Sequence, residues 1–181
     1  MQVKPLLDSI QRHCRQETET AVFAGAVSAA MASHLNRPDM AKERHINIAL
    51  EGNLGAGKTA FARYFIQALG YAGKVKSPTY SLCEPYSINT GNAPFTVFHF
   101  DLYRMHSPLE WQEAGLMEHF DEPGLCLVEW PEKAEGTLPP MDLRIVMTAG
   151  PAGADTERNI EAIAISPLGL QLLADLSANL P

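Results

Sequence analysis

The sequence predicts an α/β domain in which helices flank a sheet that is part parallel and part antiparallel. Three observations predict it. Strand-length apolar runs alternate with segments of helical periodicity. Leu125 to Val128 is apolar throughout, as a strand covered on both faces should be. The stretch from His45 to Leu69 reads strand, glycine-rich turn, helix. No internal repeat and no dividing linker interrupts the 181 residues, so 1–181 is read as one domain, with 1–16 as a flexible N-terminal extension.

Each element has a local reason. Glu17 to Leu35 is alanine-rich, with Val22, Val27, Met31 and Leu35 at roughly helical spacing, and Asn36-Arg37-Pro38 ends it. In His45 to Leu50, Ile46, Ile48 and Leu50 alternate as in a strand. Lys58 to Leu69 is the clearest helix: Phe61, Tyr64, Phe65, Ala68 and Leu69 share a face and Gly70 supplies the stop. Tyr80 to Tyr86 and Thr96 to Phe100 read as strands around a loop dense in turn formers. Pro108 to Leu116 reads as a short helix with Ser107 as its N-cap. Leu143 to Thr148 and Asn159 to Ser166 resemble a hairpin, and Leu168 to Leu176 a terminal helix.

Composition narrows the function classes. A net charge of −7 argues against unaided binding of DNA or RNA, which favours a basic surface. No apolar run approaches the ~20 residues that cross a bilayer. Residues 1–13 lack the pattern of a secretion signal. The three cysteines, Cys14, Cys83 and Cys126, form no CxxC pair and no disulfide framework. A cytoplasmic protein with no membrane partner is expected.

Gly52-Asn53-Leu54-Gly55-Ala56-Gly57-Lys58-Thr59 satisfies GxxxxGK[ST] at every fixed position, between a strand and a helix. Glycines let successive backbone N–H groups converge on phosphate oxygens. Lys58 can reach the β- and γ-phosphates, and the Thr59 hydroxyl can bind Mg²⁺. The following helix, Lys58 to Leu69 with Ala60 in its first turn, directs its positive N-terminus at the same anion. The fold class is therefore a single P-loop NTPase-like domain, and ATP with Mg²⁺ is the expected ligand. Hydrolysis needs acids at neighbouring strand ends. Two qualify: Glu129 closes the apolar run Leu125 to Val128, and Asp101 closes Val97 to Phe100. One acid can fix the metal while the other orients the nucleophile. His99 can face either the core or the site. The remaining histidines lack metal-ligand spacing and are read as surface residues.

Four stretches resemble one family: LEGNLGAGKTAFARYFIQALG from Leu50, KSPTYSLCEPY from Lys76, FHFDLYR from Phe98 and LCLVEWP from Leu125. They resemble, in order and spacing, the TsaE (YjeE) family, the ATPase component of bacterial tRNA threonylcarbamoyladenosine synthesis. The resemblance implies that Lys58, Thr59 and the loop amides hold the phosphates and Mg²⁺, and that Glu129 completes the magnesium site. It implies that Asp101 is needed for hydrolysis, that Thr79 sits in a loop sensing the γ-phosphate, and that Trp130 lies near the nucleotide. It further implies TsaD and TsaB as partners, with tRNA reached through that complex. Glu19-Thr20 loosely matches a stretch that contacts nucleotide in the family. Asn53 stands where the family usually carries an acid, and residues 1–16 and 89–95 are longer than its pattern.

Two other classes fit less well. A small-molecule kinase usually clamps phosphates with a lid of arginines, and here none lies between Arg104 and Arg144. A GTPase should show NKxD, which is absent, and Asp121-Glu122-Pro123-Gly124 matches DxxG only ahead of its strand. A nucleotide-dependent binding switch with little turnover merges with the favoured reading.

Overall fold

A computed structural model describes residues 9–37, 45–78, 80–90, 93–152 and 154–180. In chain order, strand β1 spans Ser9–Cys14, helix α1 Glu17–Leu35, β2 His45–Glu51 and α2 Lys58–Ala68. Strands β3 (Cys83–Ile88) and β4 (Phe95–Asp101) follow, then the single-turn helix α3 (Glu110–Glu113) and β5 (Gly124–Glu129). Strands β6 (Leu143–Ala149) and β7 (Arg158–Ala164) lead into helix α4 (Pro167–Asn179).

The described residues build one seven-stranded sheet in the order β1-β7-β6-β2-β5-β4-β3. Strands β6, β2, β5 and β4 run parallel, while β1, β7 and β3 are antiparallel to their neighbours. The mixed sheet with flanking helices is the expected architecture. Central β2 is covered on both faces: Ile46, Ile48 and Leu50 on one are inaccessible to solvent, and Asn47 and Ala49 on the other are buried; each such Ile or Leu contributes about 1.5–3 kcal/mol relative to exposure. Helices α1, α2 and α4 pack on one face around Phe23, Met31, Phe61, Phe65 and Leu172. A second core of Phe98, Phe100, Trp111, Phe120 and Val128 fills the other face near β4 and β5.

Several boundaries differ from expectation. The extension expected to be flexible over 1–16 contains β1, paired along its length with β7 from Ser9 opposite Ile163 to Cys14 opposite Arg158. Ile10 packs on the core and Cys14 is buried beside it. On α1 the buried stripe runs through Phe23, Val27, Ala30, Met31 and Leu35, and Val22 is exposed. On α2 Ile66 joins the buried face and Ala68 is exposed. Strand β3 starts at Cys83, because residues 80–82 turn and Leu82 takes a positive φ of 61°. The helix expected over 108–116 shrinks to α3 and a separate 3₁₀ turn at Met117–Phe120, with Gly115 at φ 76° between them. Ser107 does not cap α3, whose N-cap position is Leu109 with no side-chain cap; its Oγ accepts from the Leu109 N–H at 3.3 Å just ahead of the helix. His34 is buried, and His119 is half-buried and stacks on Phe98 at 4.3 Å.

Candidate functional site

Strands β2, β5 and β4 end side by side at one edge of the sheet, where open α/β sheets place their ligands. Glu51, Glu129 and Asp101 are their last residues. The loop after β2 turns back over this edge at Gly52, which sits so close to β6 that a Cβ would lie 2.3 Å from the Met147 carbonyl oxygen. Gly57 takes φ 100° immediately before α2, and no side chain caps that helix. Its first-turn N–H groups are left for an anion. Asn53, Leu54 and Gly55 form the exposed outer rim of the loop, and Ala56 is buried beneath it.

Lys58 is only 4% exposed, yet its Nζ lies within the loop rather than against a carboxylate. It donates to the carbonyls of Gly52 at 2.6 Å and Asn53 at 3.1 Å, and stands 3.7 Å above the Trp130 ring. Burial pushes the ammonium below the ordinary lysine range, opposed by the charges of Glu129, Glu132 and Asp101. Trp130 owes its position to a left-handed backbone, φ 58° and ψ 51°, just past the end of β5. Its other neighbour is Tyr103, at 4.8 Å between ring centres.

The two strand-end acids have different partners. Glu129 is 1% exposed. It accepts from the Thr59 hydroxyl at 2.9 Å on Oε2 and meets His99 Nε2 at 2.8 Å on Oε1. Asp101 is half-buried and accepts from the Ser77 hydroxyl at 2.7 Å and the Tyr103 N–H at 3.2 Å. Thr79 lies outside the described residues. Its neighbour Ser77 brings the start of the same loop to Asp101, and Tyr80, with its ring under Arg104, is 89% exposed.

A cleft of about 270 Å³ joins these groups: Leu54, Gly55, Gly57, Lys58, Thr59 and Ala60 on one wall, Asp101, Tyr103, Glu129 and Trp130 on the other. Hollows of about 340 and 460 Å³ flank β1 but contain none of these groups, so chemistry rather than size selects the cleft. Of the expected site residues, Asn53 and Ala56 belong to the loop without lining the cleft. Among the described residues no cluster of three or more His, Cys, Asp or Glu side chains forms a metal cage. A hydroxyl and a carboxylate at 2.9 Å are hard oxygen donors that suit Mg²⁺, which takes few protein ligands and fills its shell with phosphate and water.

Sequence reasoning left one participant open and missed two others. His99 proves to face the site. Ser77 lies beside SPTY's threonine but had no assigned role. Arg158, at the start of β7, is placed over the loop, with Nη1 on the carbonyls of Asp155 and Glu157 at 2.7 Å each and Nη2 3.4 Å from the Gly55 carbonyl. Position alone signals it, because β7 enters the sheet at the edge where the parallel strands end. Glu51, the acid that precedes the loop, points elsewhere: it forms a two-pronged ion pair with Arg144 on β6, both contacts at 2.6 Å.

Strand, glycine-rich loop, uncapped helix and two strand-end carboxylates define an α/β protein of P-loop-like fold. The family model described as threonylcarbamoyl adenosine biosynthesis protein TsaE matches residues 14–160. The tRNA threonylcarbamoyladenosine biosynthesis protein TsaE of Haemophilus influenzae is 41% identical over 135 residues, 75% of this chain and 80% of that one. Its Bacillus subtilis counterpart is 39% identical over 130 residues, 72% of this chain and 77% of that one. The crystal structure of Bacillus subtilis YdiB superposes with a TM-score of 0.69 at 31% identity, covering 94% of this chain and 95% of that one. The chain belongs to the TsaE family, whose place is in tRNA threonylcarbamoyladenosine biosynthesis. Among the described residues no helix is long and apolar enough to cross a membrane.

Proposed function

We propose that this chain binds ATP with Mg²⁺, hydrolyses it slowly, and by doing so supports a TsaB–TsaD pair in threonylcarbamoyl modification of tRNA adenosine, in the cytoplasm. The observation that carries the reading is the Thr59–Glu129 contact of 2.9 Å in the cleft that also holds Lys58 and Asp101. Phosphate-loop amides and Lys58 would hold the β- and γ-phosphates. Thr59 and Glu129 would hold Mg²⁺, which when bound neutralises charge on the phosphate oxygens.

Asp101 would accept a hydrogen bond from the attacking water. The water oxygen would bond to the γ-phosphorus as the bridging bond to the β-phosphate oxygen breaks, the water's proton would pass by way of Asp101 to the released phosphate, and ADP and phosphate would leave. Thr79 would report the γ-phosphate, since Ser77, two residues before it, already contacts Asp101. A hollow of about 140 Å³ beside Gly57 and Ala60, bordered by Thr20, Tyr64 and Arg158, would take the base and sugar. Trp130, whose ring lies 3.7 Å from Lys58 Nζ, would lie near the nucleotide.

The test is phosphate release from ATP and from GTP, by the chain alone and with a TsaB–TsaD pair from the same source. ATP-selective turnover that rises with the pair supports the reading. Robust hydrolysis indifferent to the pair overturns the partner role and leaves the ATPase.

A further inference from the structure

We infer that His99 is a positioning residue for the magnesium site, the anchor that keeps Glu129 aimed at the metal while Thr59 changes partner. The inference rests on the reading of Glu129 as a magnesium ligand. Strands β4 and β5 are parallel, with His99 opposite Leu127 and Asp101 opposite Glu129. Side chains alternate across a strand, so His99, Asp101, Leu127 and Glu129 share one face. That face points at α2, since Leu127 packs in the core with Phe61 and Phe65. His99 reaches Glu129 diagonally, a spacing that long side chains span.

His99 is 0% exposed, and its Nε2 lies 2.8 Å from Glu129 Oε1. A carboxylate oxygen only accepts, so Nε2 is the donor. Nδ1 is buried and has no hydrogen-bond partner among the described residues. The ring therefore has one polar contact in this part of the core, and it is with Glu129. On Oε2 the partner is the Thr59 hydroxyl, which donates its proton there at 2.9 Å. When that hydroxyl oxygen becomes a metal ligand, Oε2 turns to the same ion. The bond from His99 to Oε1 is the one that stays the same in both states. A carboxylate held by one fixed donor keeps its rotamer without the metal, so metal binding requires less ordering. Residues that orient a metal ligand in this way typically change metal affinity by about 10–100-fold when lost.

The test compares His99→Leu, which removes the donor, with His99→Gln, whose side-chain amide N–H can replace Nε2–H. Glu129→Gln serves as the control. Mg²⁺-dependent binding of a non-hydrolysable ATP analogue is followed by calorimetry, with melting temperature recorded for each variant. The expected result is Mg²⁺ affinity weakened about tenfold or more in His99→Leu and largely restored in His99→Gln, with analogue affinity in EDTA unchanged in both. Wild-type Mg²⁺ affinity in a folded His99→Leu, alongside its loss in Glu129→Gln, overturns the inference and leaves the magnesium reading standing. Undiminished Mg²⁺ affinity in Glu129→Gln overturns both.

Should His99→Leu fail to fold, imidazole ¹⁵N resonances of the wild-type protein decide the matter. Nε2 is expected to carry its proton both before and after addition of Mg²⁺ and the analogue. A bare Nε2 in the loaded state overturns the proposal.

Discussion

Asp101 and Glu129 are register partners at the ends of two adjacent parallel strands, and among the described residues they share no hydrogen-bond donor. Glu129 is held from the helix side by Thr59 and from beneath by His99. Asp101 is held by Ser77 from the loop and by the backbone of its own turn. Two equivalent carboxylates thus acquire different surroundings: one is buried and fixed on the side of the glycine-rich loop, the other half-exposed and in contact with the loop before Tyr80. This is the arrangement expected if one holds a metal and the other handles a water that comes and goes.

Asp101→Asn should therefore separate binding from turnover. The amide oxygen can still accept from the Tyr103 N–H, and its NH2 can donate to the Ser77 hydroxyl oxygen, but the amide is a poor base. ATP affinity by calorimetry should stay within about threefold, while single-turnover phosphate release should fall by about 10²–10⁴-fold. Turnover within tenfold of the parent would remove Asp101 from the water's side of the reaction.

Lys58→Met should act in the opposite way. It removes a charge-assisted donor to the phosphates, a contact of about 1.5–3 kcal/mol, so ATP affinity should fall at least tenfold. Without nucleotide the sign reverses. Burial lowers the Lys58 pKa in the folded chain below its unfolded value. Below the lowered value the lysine is charged in both states and burial counts against folding. As pH rises from there toward the unfolded value, the folded state releases its proton first and the penalty fades. The nucleotide-free Met variant should melt higher than the parent at pH 7, by a margin that shrinks toward pH 10. A margin that widens with pH would contradict this sign.

Of the loop's three positive-φ glycines, Gly52 and Gly57 should differ in cost. An added Cβ at Gly52 meets the Met147 backbone oxygen at 2.3 Å, and that oxygen cannot retreat without disturbing β6. At Gly57 the nearest atom is Arg158 Nε at 3.0 Å, on a flexible side chain. Gly57→Ala should cost about 1–2 kcal/mol of backbone strain, and Gly52→Ala more, about 2–4 kcal/mol. Thermal denaturation would show it, at roughly 2–4 °C per kcal/mol for a chain of this size. An equal or larger loss in Gly57→Ala would mean that Arg158 is fixed over the loop.

Much of the site was legible because its signals are local. The loop from Gly52 to Thr59 states its own spacing, and Asp101 and Glu129 each close an apolar run. What escaped depends on partners distant in sequence. Ile10, Arg12 and Cys14 alternate, but with an arginine in the middle they look like a tail until β7, more than 140 residues later, pairs with them. His99 sits in a strand whose two faces are both buried, so alternation could not choose its side; the register with β5 does. Arg158 carries no motif and matters because the end of β6 returns the chain to the loop. Ser77 was within the recognised SPTY stretch, yet its bond to Asp101 is set by a turn whose conformation no pattern specifies.

The three thiols provide a check on the packing around the site rather than on its chemistry. Cys14, Cys83 and Cys126 are free and buried. Burial raises all three thiol pKa values, Cys83 to about 12, with smaller contributions at Cys83 from Glu84 and Glu122. In an unfolded chain a thiol ionises near 8.5. The folded value is the higher one, so the stability it contributes is complete below about pH 8.5 and is lost as pH climbs toward 12. At Cys83 the loss by pH 10 should be about 2 kcal/mol. Cys83→Ala should thus lose less stability between pH 8 and pH 10 than the parent does, a comparison that cancels the opposite trend from Lys58. A disulfide reagent at pH 8 should find all three thiols unreactive until denaturant is added. Rapid reaction of one thiol in the native protein would show that the layer of side chains around that cysteine opens far more readily than its burial implies.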